Sequence, residues 1–189
     1  LGDVYKRQNR ELIHNTNEKL SATESKMEAL RNITERYDGY GNSIRRVMEQ
    51  KQWNPGIIGV VADIITVNQK YEVAVETALG GSIQNIVTED DATAKRMISY
   101  LKTNRLGRAT FLPLNTITDR GSVKNDVLRE KGVIGVASDL VEVDSKFNTL
   151  VKNLLGRIIV VDNIDNALAV ARKNNQSLRL VTIEGELIN

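Results

Sequence analysis

Hydrophobic positions divide the chain into a long polar stretch with a thin apolar seam, followed by a repeated set of apolar runs. From residue 9 to residue 37 the seam falls at Ile13, Thr16, Leu20, Thr23, Met27, Leu30, Thr34 and Tyr37, alternately three and four residues apart. This is the heptad spacing of a coiled-coil helix, and no Gly or Pro interrupts it. Only five of these eight positions are apolar, too few to hold an isolated helix of this length, so a solvated amphipathic helix is the plainer alternative. The first eight residues do not continue the seam and predict nothing. Tyr37-Asp38-Gly39-Tyr40-Gly41 predicts a turn, and Ser43 to Gln52 a short basic helix with Ile44, Val47 and Met48 on one face. Asn54-Pro55-Gly56 predicts a second turn.

From there the chain says the same thing twice. Residues 56–80, GIIGVVADIITVNQKYEVAVETALG, align without a gap with residues 132–156, GVIGVASDLVEVDSKFNTLVKNLLG. Each block predicts a buried strand (Gly56 to Ile64; Gly132 to Ala137) and then a helix (Gln69 to Leu79; Ser145 to Leu155). In the first half a strand over Ile83 to Thr88, a helix over Ala92 to Leu101 and a strand over Ala109 to Leu112 follow. In the second half these become Arg157 to Val161, Asp165 to Lys173 and Leu178 to Thr182. Residues 115–131 read as polar linker, with a short helix at Val127 to Lys131. A repeat of this length marks one structural unit used twice, and two units are too few for a solenoid. The pattern therefore predicts two similar half-domains packed together.

Composition narrows the function classes. The chain has 189 residues, 41% of them hydrophobic and 26% charged, with a net charge of +2, so any nucleic-acid contact must come from local clustering of cations. With no cysteine, disulfides and thiolate metal sites are excluded. His14 is the only histidine and lies on the polar helix, which argues against histidine catalysis and leaves no metal site to expect. Neither a phosphate-binding P-loop nor a dinucleotide fingerprint occurs. Asp63 and Asp139 occupy one position in two repeats, which favours a structural role over a pair of catalytic carboxylates. No run is long and apolar enough to span a membrane, and no signal peptide is evident, so a cytoplasmic protein is expected.

The strings ETALGGSIQNIV and GRATFLPL, within residues 56–117, resemble the first half of the hinge domain of bacterial SMC (structural maintenance of chromosomes) proteins. Residues 132–187 resemble its second half, and Tyr37 to Tyr40 the approach to it. The resemblance implies an α/β (α+β) fold in which two pseudo-symmetric α/β half-domains form the hinge behind a coiled-coil helix. The expected division is residues 1–42 for coil and turn, 43–118 for half I, 119–131 for linker and 132–189 for half II. It further implies homodimerisation, one half of one hinge meeting the other half of its partner through sheet edges, in an SMC ATPase of chromosome condensation and segregation associated with the nucleoid. ATPase heads, a glycine-rich segment and a returning coil are expected outside these residues, so no enzymatic activity, cofactor or small-molecule substrate is expected here.

On this basis the expected dimer contact comprises Gly80, Gly81, Ser82, Ile83, Gln84 and Asn85, with Leu155, Gly156, Arg157, Ile158 and Ile159 as the corresponding region of the second half. Gly80 recurs as Gly156 and reads mostly as a helix cap; Gly81 has no counterpart. Nonspecific DNA contact is expected from Arg45, Arg46 and Lys51 near the coil, and from Lys95, Arg96, Lys102 and Arg105 along or after one helix, with Arg108 reading as structural. No aromatic stacking platform accompanies these charges, which argues against sequence-specific single-strand reading. The competing expectations are a solvated charged face and a protein-interaction module that never touches DNA.

Overall fold

The computed structural model describes residues 1–175 and 177–189, the side chains of residues 33 and 34 excepted; seam position Thr34 therefore lies outside the described side chains. Helix α1 (Gly2–Arg36) carries the heptad seam and includes most of the first eight residues, where Arg7 pairs with Glu11 at 3.4 Å. Along most of its length the seam faces solvent: Ile13, Leu20 and Met27 are 60%, 57% and 61% exposed. Thr16 and Thr23 turn their hydroxyls back onto the carbonyls of Leu12 and Lys19, so these two polar seam positions are satisfied by the helix itself. Cover begins only at the far end, where Tyr37 is buried. After the turn, α2 (Asn42–Glu49) and one turn of 3-10 helix (Gln50–Gln52) bury Ile44, Val47 and Met48, the face the pattern predicted.

Two sheets follow, built by the same rule. In the first, β1 (Ile57–Val60) runs antiparallel to β3 (Ile86–Thr88), which runs parallel to β4 (Phe111–Pro113). In the second, β5 (Val133–Val136) runs antiparallel to β7 (Ile158–Val161), which runs parallel to β8 (Arg179–Thr182). Both antiparallel ladders shift register at the same repeat position, between Ile57 and Gly59 and between Val133 and Gly135. Helices α5 (Asp91–Thr103) and α8 (Ile164–Lys173) make the crossovers, each opened by a side-chain cap: Asp90 accepts from the Thr93 N–H at 2.7 Å and Asn163 from the Asn166 N–H at 2.9 Å.

The halves meet along their own repeat. Helices α4 (Glu72–Leu79) and α7 (Asn148–Leu155) pack together, and β2 (Thr66–Val67) pairs antiparallel with β6 (Val141–Glu142). Thr66 lies opposite Glu142, its own counterpart in the repeat, so a local two-fold axis passes between them. One shared core fills this junction, with Val75, Ala78 and Leu79 from α4 against Leu150, Val151 and Leu155 from α7. Smaller cores lie under α5 (Ile57, Ile86, Met97, Leu101) and under α8 (Ile159, Val170, Leu180).

Several expectations are corrected. The first strand ends at Val60; Val61–Ile64 form a helical turn (α3), because the Asp63 carboxylate folds back to accept the Val60 N–H. The second strand starts at Ile86, not Ile83, because residues Gly80–Gln84 coil into a 3-10 segment closed by Asn85 N–H on Ser82 O. Pro113 belongs to β4 instead of ending it, and the linker helix α6 runs over Asn125–Leu128, earlier than expected. Strands β2, β6 and the last strand β9 (Leu187–Ile188), which pairs antiparallel with β8, are two residues each and too short to show a period.

Candidate functional site

The joint between the long helix and the first sheet is built on Asp63. Its carboxylate accepts from Arg36 Nη2 at 2.8 Å and from the Tyr37 hydroxyl, while the Val60 N–H reaches it at 3.3 Å. The Tyr37 ring meets Tyr40 edge-on at 5.4 Å, and the Arg36 guanidinium lies 5.7 Å from the Tyr37 centroid. Burial, then the bond to Asp63, pushes the Tyr37 hydroxyl well above the usual tyrosine range, so it remains a donor. Burial likewise raises Tyr40, and the charge of Asp63 raises Arg36 further. Gln52 adds a second tie, donating to the Lys26 carbonyl of α1 at 3.1 Å. Sequence reading missed this joint; its signal was a tyrosine on the last seam position, immediately before the turn. The structural role expected of Asp63 is seen here, whereas Asp139 is exposed and makes no hydrogen bond or ion pair with a described residue.

The expected contact residues fall into two unlike groups. Gly80, Gly81 and Gln84 are exposed on the 3-10 segment, with Ser82, Ile83 and Asn85 half-buried, and a Cβ at Gly80 or Gly81 would meet open space. Gln84 and Asn85 also line a cleft of about 320 Å³ with Ile44 and the segment Arg108 to Thr110. In the second half, Leu155, Gly156, Ile158 and Ile159 are buried in the chain's own core, and only Arg157 is exposed. The sheet edges differ as well. Strand β9 covers the outer edge of β8, whereas no described strand covers the outer edge of β4.

The expected DNA contacts also divide. Arg46 pairs with Glu49 at 3.2 Å, Arg45 reaches Asn42 at 3.3 Å and Asp38 at 4.0 Å, and Lys51 donates to the Ile58 carbonyl at 2.7 Å. Arg96 donates to Thr93 Oγ1 at 3.1 Å. The side chains of Lys95, Lys102 and Arg105 are exposed without a hydrogen bond or ion pair among the described residues. Lys102 and Arg108 flank a cleft of about 400 Å³ floored by Ile98 and Leu101, and Ser43 at the start of α2 holds the Arg108 carbonyl at 2.7 Å. Trp53, which sequence reading passed over, stands 53% exposed two residues after Lys51. Among the described residues no cluster of His, Cys, Asp or Glu could hold a metal ion, and no helix is long and apolar enough to cross a membrane.

The family model for the SMC protein flexible hinge domain matches residues 54–171. The chromosome partition protein Smc of Lactiplantibacillus plantarum is 41% identical over 167 residues, and that of Bacillus subtilis 38% over 168 residues. Each alignment covers 87% of this chain and 14% of the relative, so the chain spans about a seventh of these proteins. Among solved structures, an asymmetric dimer of the Geobacillus stearothermophilus SMC hinge domain is 34% identical with a TM-score of 0.78, covering 97% of this chain and 74% of that one. The Pyrococcus furiosus SMC hinge domain is 37% identical with a TM-score of 0.66, covering 88% and 85%. A sequence repeat folded into two joined α/β halves, entered by one long helix, thus has its counterpart in known hinges, and this chain belongs to the SMC hinge domain family.

Proposed function

We propose that this chain is the homodimerisation hinge of a chromosome-partition SMC protein and touches DNA without sequence preference beside the helix junction. The observation that carries the dimer is the uncovered edge of β4 in the first sheet, set against the β9-bounded edge of the second. An open strand edge offers unpaired N–H and C=O groups to another strand. If the first sheet of one copy meets the second sheet of the other, two equivalent contacts close a two-fold ring. The exposed residues Gly80, Gly81 and Gln84 lie next to β3 and border that contact. The exposed seam of α1 would be covered by a second helix of the coil, as heptad spacing requires. The hinge is distinct from the ATPase head of such proteins, so we read no catalysis into it. Location in the cytoplasm, with the nucleoid, belongs to the same proposal.

For DNA, the partnerless cations favour Lys95, Lys102 and Arg105, together with Arg108, over Arg45, Arg46 and Lys51, which bond within the chain. That same internal pairing favours a second reading, an interaction module with no DNA contact. Solution mass across a concentration series tests the dimer: twice the 21.1 kDa of the chain is expected, and a monomer at every concentration overturns it. Retention of duplex DNA that survives both Arg45→Glu with Arg46→Glu and Lys102→Glu with Arg105→Glu would favour neither cluster; no retention by the unaltered chain would leave the interaction module.

A further inference from the structure

The cleft at the end of α5 has a counterpart in the second half, and its chemistry is different. Val60 pairs with Ile86 and Val136 with Ile159, while Ile86 pairs with Phe111 and Ile159 with Leu180, so these ladder positions match between sheets. Counting from them, Arg157 stands where Gln84 stands in the first half, and Ser177 and Leu178 stand where Arg108 and Ala109 stand. Counting from the caps Asp90 and Asn163, Asn174 and Asn175 stand where Leu101 and Lys102 stand. The second cleft, about 410 Å³, is lined by these second-half residues and walled by the linker. Amides stand in place of Leu101 and Lys102 and a hydroxyl in place of Arg108, while Val123, Val127 and Leu178 line the rest, and three cations converge on it from three separate segments: Lys124 from the linker, Arg157 from the entry to β7 and Lys173 from the end of α8.

All three cations are exposed, and none of their side chains makes a hydrogen bond or ion pair among the described residues. Lys173 alone could be ascribed to the negative end of the α8 dipole. Arg157 likewise follows the C-cap of α7, but Lys124 is the N-cap of α6, at the end of opposite sign, so the dipoles do not account for the whole group. Around them, Asn174 donates to the Glu130 carboxylate at 3.1 Å and to the Val170 carbonyl at 2.9 Å, and Ser177 donates to the Asn174 carbonyl at 2.7 Å. Among the described residues Glu130 is the one carboxylate hydrogen-bonded to a residue lining this cleft, and it is held on Asn174. Asn174 and Ser177 thus spend their donors within the chain and fix the wall, and it is the unpaired Lys and Arg side chains that suit phosphate oxygens. A protein anchor would instead need a mainly apolar pocket, whereas seven of the ten residues lining this cleft are polar or charged.

We propose that this cleft binds the phosphate backbone of nucleic acid, giving the hinge a second contact related to the first by the internal repeat. The proposal rests on the reading that the hinge touches DNA, and extends it to the half in which no DNA contact was expected. The test is the variant Lys124→Glu, Arg157→Glu, Lys173→Glu against the unaltered chain, with a fluorescent 30-base-pair duplex followed by anisotropy over a salt series. At about 0.1 M salt the variant should bind at least about tenfold more weakly, with a log–log salt slope shallower by about 2 to 3. Unchanged affinity and slope, with a normal melting temperature and an unaltered chain that binds, overturn this proposal and leave the first-half contact standing. An unaltered chain that does not bind duplex overturns both. Thermal stabilisation by inorganic tripolyphosphate, lost in the variant while duplex binding is unchanged, would make the cleft a small-phosphate site and overturn the nucleic-acid source. A fall in dimer mass with unchanged duplex binding would make it a protein contact, and overturn it likewise.

Discussion

Gly80 and Gly156 hold the same place in the repeat, yet Gly80 has a φ of +52° and Gly156 one of −69°. After α4 the first half spends residues 80–84 in a 3-10 segment before β3, whereas α7 leads almost directly into β7. Between Ile86 and its match Ile159 the spacing is 73 residues, against 76 between Gly56 and Gly132. The difference lies mostly at the surface, with Gly156 buried where Gly80 is exposed. Beneath it Val75 matches Val151, Leu79 matches Leu155 and Val87 matches Val160, all buried. Packing ties the cores of the two halves to one pattern, because a buried side chain that changes volume disturbs its neighbours. The surfaces are free of that constraint: one half gains an open glycine turn and an uncovered edge, the other a covering strand and a polar cationic cleft.

The sharpest way to break the comparison is at the shared core. Leu155→Ala should cost about 2–5 kcal/mol, and Leu79→Ala should fall in the same range, since both side chains enter one cluster. Urea unfolding should show a single transition with a lower midpoint in either variant; two separate transitions would mean that the halves fold independently. A difference between the halves should appear next at the matched aspartates. Asp63→Ala leaves the buried Tyr37 hydroxyl without its acceptor and should cost about 1–3 kcal/mol, whereas Asp139→Ala should stay within about 0.5 kcal/mol. Equal costs from urea midpoints would show that the joint contributes nothing. The smallest effect separates the helix caps. Asn163→Ala should cost about 1 kcal/mol at any pH near or below neutral. Its counterpart Asp90 is ionised, and its bonds with Thr93 hold its carboxyl below the usual aspartate range. The ionised cap therefore stabilises fully above that range, and its contribution is lost as pH falls through the lowered value. The loss of melting temperature in Asp90→Asn should shrink on acidification, and that of Asn163→Ala should not.

Much of the scaffold was legible because it is periodic. The apolar face of α2, the repeat itself and the second-half elements β5, α7, β7, α8 and β8 follow from spacing and turn residues. What escaped was short or nonlocal. The strands β2, β6 and β9 are two residues each, and the Asp63 joint brings together residues more than twenty apart. Expected contact residues were legible as a string but not as a surface: ETALGGSIQNIV mixes the exposed Gly81 with the fully buried Ile86. In the second half, matching by sequence position selected Leu155, Ile158 and Ile159, whose side chains are buried in the core.

By itself the sequence determined the repeat, the two kinds of helix and the identity of the core, since each follows from where apolar residues recur along the chain. Tertiary structure alone decided which strands form the sheet edges, which of two equivalent aspartates holds the coil, and which cations lack partners among the described residues. Those properties depend on what lies next to a residue in space, and residues far apart in the chain, such as Lys124, Arg157 and Lys173, become neighbours only when the halves fold.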